Sequence, residues 1–464
     1  MPSSACCGGG VKIKRPKTVF FCQGCGYKSA KWHGKCPACG EWNLCVEEEV
    51  DTGSEPGRFE MHFDELPQPI ESITSNDKDR LKTGISEMDR VLGGGIVKGS
   101  SVLVGGDPGI GKSTLLLQLL QQLAVGGLKV LYVSGEESAR QIKLRGIRVG
   151  ATSENLYIYV EISLEKILAQ IAELAPHVVV IDSIQTIYSR DLTSAPGSVG
   201  QVRESSERLI LMSKKSGIPI FLIGHVTKDG AIAGPKVLEH MVDAVLYFQG
   251  DAGHVFRIIR GVKNRYGPTN EIGVFEMWEH GLREVSNPSQ LFLSERPKGA
   301  AGSVVVPSME GTRPILVEVQ SLVGESSFGM PRRTTIGVDH NRVSLLAAVL
   351  DKVCGLTLAN HDIFINVAGG VRLNEPAVDL AIVSSIMSSF LGRPIDEGSV
   401  VCGEVGLTGE IRGVGHVESR IKEAARMGFT RCLLPHSSSH ETLPAANVEV
   451  IHVGNLKALM DHLF

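Results

Sequence analysis

Short apolar runs alternate with helical stretches along the middle of the chain, from residue 81 to about residue 290. The runs read SVLVGG, KVLYVSGEE, HVVVIDS, IPIFLIGHV, DAVLYFQG and HVFRIIRGV. Strands that alternate with helices in this way predict a doubly wound, mainly parallel α/β sheet. Such sheets bind ligands at the carboxyl ends of their strands, and several of these runs end in polar residues.

The pattern changes on both sides of this region. Residues 46–80 are acidic, contain three prolines and show little periodicity, which indicates a linker. Beyond about residue 300, the strands RPILVEVQSLV and DIFINVAGG alternate with the helices VSLLAAVLDKV, PAVDLAIVSSIM and RIKEAARMG, an α+β arrangement. We therefore expect an amino-terminal segment over 15–45, a linker over 46–80, an α/β domain over 81–290 and an α+β domain over 300–464.

Length and composition are typical of a multidomain globular protein. The chain has 464 residues, of which 42% are hydrophobic and 21% are charged. It is therefore too long for one core and has room for two or three domains. It contains no uncharged apolar run of 18 residues and no signal-peptide pattern, so we expect a cytoplasmic protein without a membrane partner.

The net charge of −4 conceals a local asymmetry. Residues 1–40 contain seven Lys or Arg and no acid, whereas residues 46–79 contain eleven acids and two basic residues. A nucleic-acid partner would therefore meet local basic surfaces rather than a basic protein as a whole. The same pattern is equally typical of solvated surface charge beside an acidic linker.

Four of the ten cysteines form two CxxC pairs separated by ten residues, Cys22 with Cys25 and Cys36 with Cys39. Two such pairs supply four thiolates for one tetrahedral ion, and neighbouring glycines allow the tight turns that such loops use. We predict a zinc site, with the metal supplying the folding free energy of a small finger. Redox-active dithiols are the alternative, although one pair would suffice for that chemistry.

Residues 106–114, GDPGIGKST, fit the phosphate-loop pattern between a predicted strand and a predicted helix. The glycines allow a close backbone approach to phosphates, and the helix N-terminus adds unpaired donors. We expect this loop to bind ATP or GTP, with Lys112 at the β and γ phosphates and Ser113 on Mg²⁺. The residues of the predicted nucleotide loop are Gly106, Asp107, Pro108, Gly109, Ile110, Gly111, Lys112, Ser113 and Thr114.

Three further strands end in polar residues that suit phosphate chemistry. Asp182 ends a buried strand and is predicted to hold Mg²⁺. Glu136 and Glu137 follow another strand, and we expect one of them to activate the attacking water while the other is a solvated neighbour. His225 ends a third strand, where it would either sense the γ-phosphate or simply cap the strand.

Several of these segments together resemble one family, the bacterial RadA (Sms) proteins, which are RecA-like repair and recombination ATPases. The segments are LKTGISEMDRVLGGGIVKGSSVLVGGDPGIGKST, SGEES, GHVTKDGAIAGPKVLEHMVDAVLYF and KNRYG. The resemblance covers nearly the whole chain, including the four-cysteine finger and the carboxy-terminal domain. Tyr266 stands where the family usually has Phe, which keeps an aromatic ring.

The resemblance implies how the chain would work. It implies a ring or filament, with a hexameric ring expected, in which ATP lies at subunit boundaries and single-stranded DNA passes through the centre. The expected partners are single-stranded and branched DNA and a RecA-type recombinase. It implies that Glu136 is the catalytic glutamate and that Lys263 and Arg265 reach a neighbour's γ-phosphate. The expected activity is DNA-dependent ATP hydrolysis that drives translocation, unwinding or branch migration in repair and recombination.

Two segments that follow the Asp182 and His225 strands are the predicted DNA-contact loops, since such loops face the axial channel in RecA-like rings. They span Ser189–Glu204 and Lys228–Lys236 and are rich in glycine. Their cations suit phosphate contact, although they offer no aromatic ring for base stacking. The candidate DNA-binding residues are Arg190, Arg203, Lys228 and Lys236.

The carboxy-terminal domain resembles the peptidase domain of Lon, whose active site pairs a serine in G-P-S-A-G with a lysine. Here the matching segment is Glu375–Asp379, and Glu418 falls at the lysine position. We therefore expect a catalytically inactive platform for oligomerisation and DNA binding. Two alternatives stay open: a protease that uses Ser384 or Lys422, and a KaiC-like ATPase that acts on protein partners.

Overall fold

A computed structural model describes most of the chain. The described residues are 17–22, 27–38, 40–50, 67, 69–72, 80–224, 235–249, 256–326, 331–437 and 448–464. They form two compact units. The first comprises Met1–Phe248, Val262–Gly267 and Glu279–Gly281, and the second comprises Gln249–Gly261, Pro268–Trp278 and Leu282–Phe464. The domain limits expected from the sequence remain predictions.

The amino-terminal segment is a small antiparallel sheet in the order β2-β1-β3. Its strands are β1 (Lys17–Cys22), β2 (Lys28–Ser29) and β3 (Cys45–Val50). An isolated antiparallel bridge joins Lys35 to Trp42 and closes a short hairpin within it. Because so short a segment buries little apolar surface, its fold depends on a staple such as a metal ion.

Six parallel strands form the core of the first unit in the order β9-β4-β8-β7-β5-β6. Four of them, β4, β5, β7 and β8, are buried along their whole length, as expected for strands covered by helices on both faces. The predicted parallel α/β sheet is thus confirmed. The strands are β4 (Ser101–Gly105), β5 (Val130–Ser134), β6 (Leu156–Val160), β7 (Val178–Asp182), β8 (Ile220–Ile223) and β9 (Ala244–Gln249).

The helices of the first unit begin and end at recognisable signals. In α3 the Ser138 and Gln141 side chains form a reciprocal capping box, and Gly217 ends α5 in the left-handed conformation. The helices are α1 (Ser86–Val91), α2 (Lys112–Val125), α3 (Ala139–Arg148), α4 (Leu164–Leu174), α5 (Val199–Ser216) and α6 (Pro235–Met241). Short 3₁₀ turns occur at Ile70–Ser72 and Ile184–Thr186.

Helix α5 corrects one sequence interpretation. The segment Ser189–Glu204 was expected to be a loop, but α5 begins at Val199, so its last six residues are helical. The Ser198 side chain accepts a hydrogen bond from the Gln201 backbone N–H and caps the helix. Serine followed three residues later by glutamine is a helix-start signal, and it is present in the sequence.

Strands β10 (Phe256–Asn264), β11 (Ile272–Trp278) and β12 (Gly281–Glu284) follow. Residues of β10 and β11 pair antiparallel, from Phe256 with Glu276 to Arg260 with Ile272. Three of their side chains, Ile258, Ile272 and Val274, lie in the hydrophobic core of the second unit.

The second unit contains a mixed seven-stranded sheet in the order β15-β16-β14-β13-β17-β20-β21. Helices α8 (His340–Cys354) and α9 (Asp379–Leu391) supply much of its core, and α9 is buried from Asp379 to Ser388. The strands are β13 (Ser303–Glu310), β14 (Arg313–Glu325), β15 (Arg333–Ile336), β16 (His361–Val367), β17 (Ser399–Val401), β20 (Arg431–Pro435) and β21 (Glu449–Val453), with β18 (Glu404–Val405) and β19 (Ile411–Arg412) as a separate pair.

The described residues of the second unit form five helices, of which the middle three match the helical stretches expected from the sequence, whereas the first and the last were not expected. The helices are α7 (Pro288–Phe292), α8 (His340–Cys354), α9 (Asp379–Leu391), α10 (Val417–Arg426) and α11 (Leu456–Leu463), with 3₁₀ turns at Leu358–Asn360, Ala368–Gly370 and Pro376–Val378. None of the helices in the described part of the chain combines the length and apolar character that a membrane crossing requires.

Candidate active site

The loop between β4 and α2 has the backbone shape of a phosphate cradle. Gly106, Gly109 and Gly111 adopt φ values of +142°, +77° and +117°, which side chains other than glycine rarely adopt. A Cβ atom at Gly106 would also lie 2.9 Å from the Cβ atom of Phe248. Gly111 caps α2 without any side-chain hydrogen bond, so the first N–H groups of α2 have no side-chain acceptor at their cap. An anion fits that position.

Lys112 is buried at the start of α2 with only 3% of its surface exposed. Its Nζ atom donates to the backbone carbonyls of Gly106 at 2.7 Å and Asp107 at 2.9 Å. Burial lowers the pKa of Lys112 to about 8, against the opposing charges of Asp182, Asp107 and Glu136. A bound phosphate would stabilise this partly desolvated ammonium, because it supplies the opposite charge at short range.

Tyr132 joins the two predicted magnesium ligands. Its hydroxyl donates to Oδ2 of Asp182, at the end of β7, and is also hydrogen-bonded to Ser113. Burial and the negative charge of Asp182 raise the pKa of Tyr132 well above its usual value. The phenol therefore stays protonated and fixes the rotamer of the Asp182 carboxylate. Carboxylate and hydroxyl oxygens are ligands that suit Mg²⁺, so Asp182 and Ser113 fit the group.

Arg145 separates the roles of the two neighbouring glutamates. Its Nη1 atom donates to Oε1 of Glu137 at 2.9 Å, and its Nη2 atom donates to the Tyr132 hydroxyl at 3.0 Å. Glu137 is thus a half-buried partner in an ion pair, rather than the solvated neighbour that was expected.

Glu136 is exposed and accepts a hydrogen bond from the Ser183 hydroxyl. Its charge also acts on Lys112, which places the carboxylate within electrostatic reach of the phosphate cradle. A carboxylate with this exposure is able to orient a water molecule, whereas that of Glu137 is committed to Arg145. The geometry thus favours Glu136 as the base, and the assignment stays a prediction.

Lys263 and Arg265 contact residues of their own chain. The Nζ atom of Lys263 donates to the backbone carbonyls of Glu239 at 2.7 Å, His240 at 3.3 Å and Val242 at 2.8 Å, at the C-terminal end of α6. A cation is stabilised there by the helix dipole. Burial lowers the pKa of Lys263.

Arg265 is the more accessible of the two cations. It lies 3.3 Å from Oδ1 of Asp243, and 53% of its side chain is exposed. Asp243 itself accepts hydrogen bonds from Ser101, so its position is fixed by β4. Arg265 is therefore freer than Lys263 to reach another molecule, and the role of both residues stays a prediction.

The first predicted DNA loop is held in place by two side chains of α5. Gln201 contacts the backbone of Ser189, Leu192 and Ser194, and Arg208 contacts Ser189 and Asp191. The side chains of α5 therefore fix the shape of this loop. Arg190 and Arg203 are both exposed, as phosphate contact would require.

Three predicted residues of the second loop region are not placed. His225 and Lys228 lie outside the described residues. Lys236 belongs to α6 by its backbone, but its side chain is not described.

Two of the four finger cysteines, Cys22 and Cys36, are described, whereas Cys25 and Cys39 lie outside the described residues. Cys22 and Cys36 are buried in one cluster with Cys45 and Leu44. The two cysteines also make the same backbone contact, because the Cys22 N–H donates to the Tyr27 carbonyl at 2.9 Å and the Cys36 N–H to that of Glu41 at 2.8 Å. Two cysteines buried in one cluster, each from a CxxC pair, suit a tetrahedral zinc ion.

The segment expected to match the Lon active site contains no nucleophile. Ala377 is buried at the position expected for the serine, and Arg420 binds the Glu375 carboxylate through contacts of 2.8 Å and 2.6 Å. Glu418 pairs with Lys422 on the surface. Beside this segment lies a cleft of about 300 Å³, in which the Asp379 carboxylate is bound by Arg342.

Either alternative protease residue is poorly placed for peptidase chemistry. Ser384 is fully buried in α9, and Lys422 is an exposed partner of Glu418. A substrate cannot reach a serine that is buried in this way, and an exposed lysine paired with a glutamate is not a strong base. The two residues therefore do not form a catalytic dyad.

Sequence reasoning missed Tyr132, Arg145 and Ser183 as parts of the site. Tyr132 reads as a core residue of a buried strand, and Arg145 reads as a solvated charge on a helix. Only the adjacency of Ser183 to Asp182 offered a signal, because both follow the same buried strand.

Family models match three separate parts of the chain. Residues 20–44 match the rubredoxin metal binding domain, residues 67–231 match the AAA domain, and residues 317–438 match the subunit ChlI of Mg-chelatase. The first two matches cover the predicted zinc finger and most of the phosphate-loop unit.

Curated relatives match nearly the full chain. A protein of Bacillus subtilis named DNA repair protein RadA is 54% identical over 96% of this chain and 98% of its own length. The proteins of the same name from Halalkalibacterium halodurans and Streptococcus pyogenes serotype M1 are 53% and 50% identical, each over 97% of this chain. They cover 99% and 100% of their own lengths.

Proposed function

The chain belongs to the bacterial RadA family of DNA repair proteins, and we propose that it is a motor that couples ATP hydrolysis to movement on DNA. At the coarser level it is an ATP-hydrolysing enzyme with an AAA domain, and its place is DNA repair. More specifically, we propose that it translocates on DNA, unwinds strands and drives branch migration of recombination intermediates.

The observation that carries the proposal is the environment of Lys112. Its ammonium is buried, its hydrogen bonds go to two backbone carbonyls, and burial lowers its pKa to about 8. The glycine loop around it and the N-terminus of α2 have positive potential as well. A site with this charge and shape fits a polyphosphate, which would restore the lost solvation of Lys112.

Each residue then has a distinct task in hydrolysis. The loop N–H groups and Lys112 would hold the β and γ phosphates, while Ser113 and Asp182 would hold Mg²⁺, whose charge would offset that of the phosphate oxygens. Tyr132 and Arg145 orient Asp182, and Arg145 also holds the Glu137 carboxylate in an ion pair, away from the attacking water. Glu136 orients the attacking water and accepts its proton, with Ser183 fixing the carboxylate.

Completion of the site by a neighbouring subunit is a further part of the proposal. Charge that develops on the transferred phosphoryl group needs cations in addition to Lys112. Arg265 and Lys263 would supply them across the boundary of a homo-oligomeric ring, with a hexamer as the expected size. Lys263 would first have to leave the three carbonyls of α6 that it now contacts.

The DNA partner would pass through the ring beside Arg190, which is exposed in the loop after β7, and Arg203, which is exposed in the first turns of α5. Lys228 and Lys236 remain predicted contacts of the same channel. A RecA-type recombinase is the expected protein partner, and the cytoplasm is the expected location.

A strand-separation assay tests the motor directly. The protein is incubated with a forked DNA duplex and with a four-stranded branched substrate, in the presence of ATP and Mg²⁺. We expect displaced or exchanged strands with ATP, and none with a non-hydrolysable ATP analogue or with Glu136→Gln. ATP hydrolysis without any strand movement would instead favour an ATPase that acts on protein partners.

A further inference from the structure

The zinc-binding segment exposes two aromatic rings. Only three tryptophans occur in 464 residues, and two of them, Trp32 and Trp42, belong to this small segment. They are 57% and 67% exposed, and Tyr27 in the same segment is 37% exposed. Large exposed rings in so small a segment are unusual for a surface without a ligand, because each leaves a wide apolar face in water.

Contacts within the segment fix the position of both tryptophans. Trp42 lies directly opposite Lys35 in an isolated antiparallel bridge. The indole N–H of Trp32 donates to the Cys45 carbonyl at 3.1 Å, and its ring packs over Gly34, where an added Cβ atom would lie 3.4 Å from the indole. The indole edge of Trp32 is thus satisfied and fixed, while more than half of its surface remains open.

Two lysines lie close to the tryptophans in the chain. Lys31 and Lys35 are exposed, and the Nζ atom of Lys35 lies 5.6 Å from the centre of the Trp42 ring. The segment that precedes Glu41 contains no acidic residue, and the glutamates that follow Cys45 belong to β3, which pairs with β1. The surface thus combines positive charge with flat aromatic faces.

We propose that this surface binds single-stranded nucleic acid, with bases stacked on Trp32 and Trp42 and phosphates beside Lys31 and Lys35. Non-specific strand binding requires these two components, a cationic path for the backbone and aromatic platforms for the bases. The DNA loops of the ATPase unit supply cations without an aromatic ring, so the zinc segment provides the component that they lack.

The charge of the surface favours nucleic acid over a protein partner. A protein contact built on two tryptophans would bury them in an apolar pocket, and exposed lysines are depleted at the centres of such interfaces. A polyanion instead gains from each lysine through counterion release. A zinc ion held by the finger cysteines would have a structural task here, because Cys36 lies between Lys35 and Trp42, which pair with each other.

The experiment uses tryptophan emission of the full-length protein. In Trp278→Phe the emission comes only from Trp32 and Trp42, and a short oligothymidylate is titrated without nucleotide. We expect saturable quenching, since stacked bases quench indole emission. Removal of zinc by a chelator should abolish the quenching, because the hairpin then loses its fold.

A second measurement gives the contribution to affinity. The double variant Trp32→Ala, Trp42→Ala should bind a labelled oligonucleotide at least about fivefold more weakly than wild type, since one stacked base contributes about 1–3 kcal/mol. Trp278→Ala is the matched control, because Trp278 is also 51% exposed and also carries a cation, Arg283, over its ring. The corresponding Phe variants should retain most of the affinity, with zinc content confirming that the segment remains folded.

If the oligonucleotide does not quench the emission of Trp278→Phe, which has no substitution in the zinc-binding segment, the proposal is overturned. A protein would then be the occupant of this surface. Affinity of the double variant equal to that of Trp278→Ala overturns it as well. Either result is independent of the proposed ATPase function, which is read from nucleotide turnover.

Discussion

Two clefts of this protein place charged side chains at the ends of strands and helices, but only one of them keeps charge available for a ligand. In the phosphate loop, the Lys112 ammonium is hydrogen-bonded to backbone carbonyls and is desolvated. In the cleft of the second unit, Arg420 closes on Glu375 and Arg342 closes on Asp379.

The difference shows how one kind of architecture becomes a reactive site or a structural one. A buried cation without a carboxylate partner gains strongly when an anion arrives, so it binds substrate. A buried cation that already contacts a carboxylate gains little from a ligand and instead fixes the elements that carry the pair.

Removal of Lys112 should have the largest effect on activity. Lys112→Ala should lower ATP turnover by at least about 10³-fold, because the β/γ phosphates lose a desolvated cation. Lys422→Ala, which removes an exposed lysine of the second unit, should leave turnover unchanged. Normal turnover in Lys112→Ala would remove the basis for the assigned site. Ser113→Ala should raise the Mg²⁺ concentration required for hydrolysis.

Breaking the Glu375–Arg420 pair should affect stability rather than chemistry. Glu375→Ala leaves the 2% exposed Arg420 guanidinium without its carboxylate, and we expect a loss of about 3–5 kcal/mol in unfolding free energy. Denaturant unfolding of the full-length protein measures it. Glu418→Ala is the control, since its exposed pair with Lys422 should contribute less than about 1 kcal/mol. Equal stability of the two variants would show that the pair does not fix the second unit.

The two neighbouring glutamates should differ in their effect on hydrolysis. Glu136→Gln should still bind ATP but hydrolyse it about 10²-fold more slowly, because water activation is lost while the phosphate cradle stays intact. Glu137→Gln should have a smaller effect, since it weakens only the contact with Arg145. The opposite ranking, measured as turnover at saturating ATP, would mean that Glu137 is the base.

Mixed rings should show the smallest effect, a partial rescue. Lys263→Ala and Glu136→Gln are each expected to be nearly inactive. A mixture of the two should recover some turnover, because a boundary between the two variants can combine the intact Glu136 of one subunit with the intact Lys263 of the other. Arg265→Ala mixed with Glu136→Gln is the companion experiment. No recovery in rings that exchange subunits would indicate that Lys263 acts within its own chain, as its contacts with α6 suggest.

The sequence was informative where chemistry requires adjacent residues. The nucleotide loop is contiguous, so Gly111, Lys112 and Ser113 were identifiable from spacing alone. The buried apolar strand that ends at Asp182 likewise identified this residue as a predicted Mg²⁺ ligand. The parallel sheet followed from runs such as VVVID, which are apolar along both faces.

The rest depends on contacts between distant positions. Tyr132, Arg145 and Asp182 form one network across 50 residues without any spacing pattern. The difference between Glu136 and Glu137 arises from the direction of Arg145, which α3 sets after the chain has folded. The pairing of Glu375 with Arg420 likewise joins a 3₁₀ turn to α10 across 45 residues.

The central claim is that ATP turnover at Lys112 depends on DNA, and steady-state hydrolysis with and without single-stranded DNA tests it most directly. We expect turnover that rises severalfold with oligonucleotide in wild type and remains absent in Lys112→Ala under both conditions. Turnover in wild type that is identical with and without DNA, across oligonucleotides of several lengths, would contradict the account.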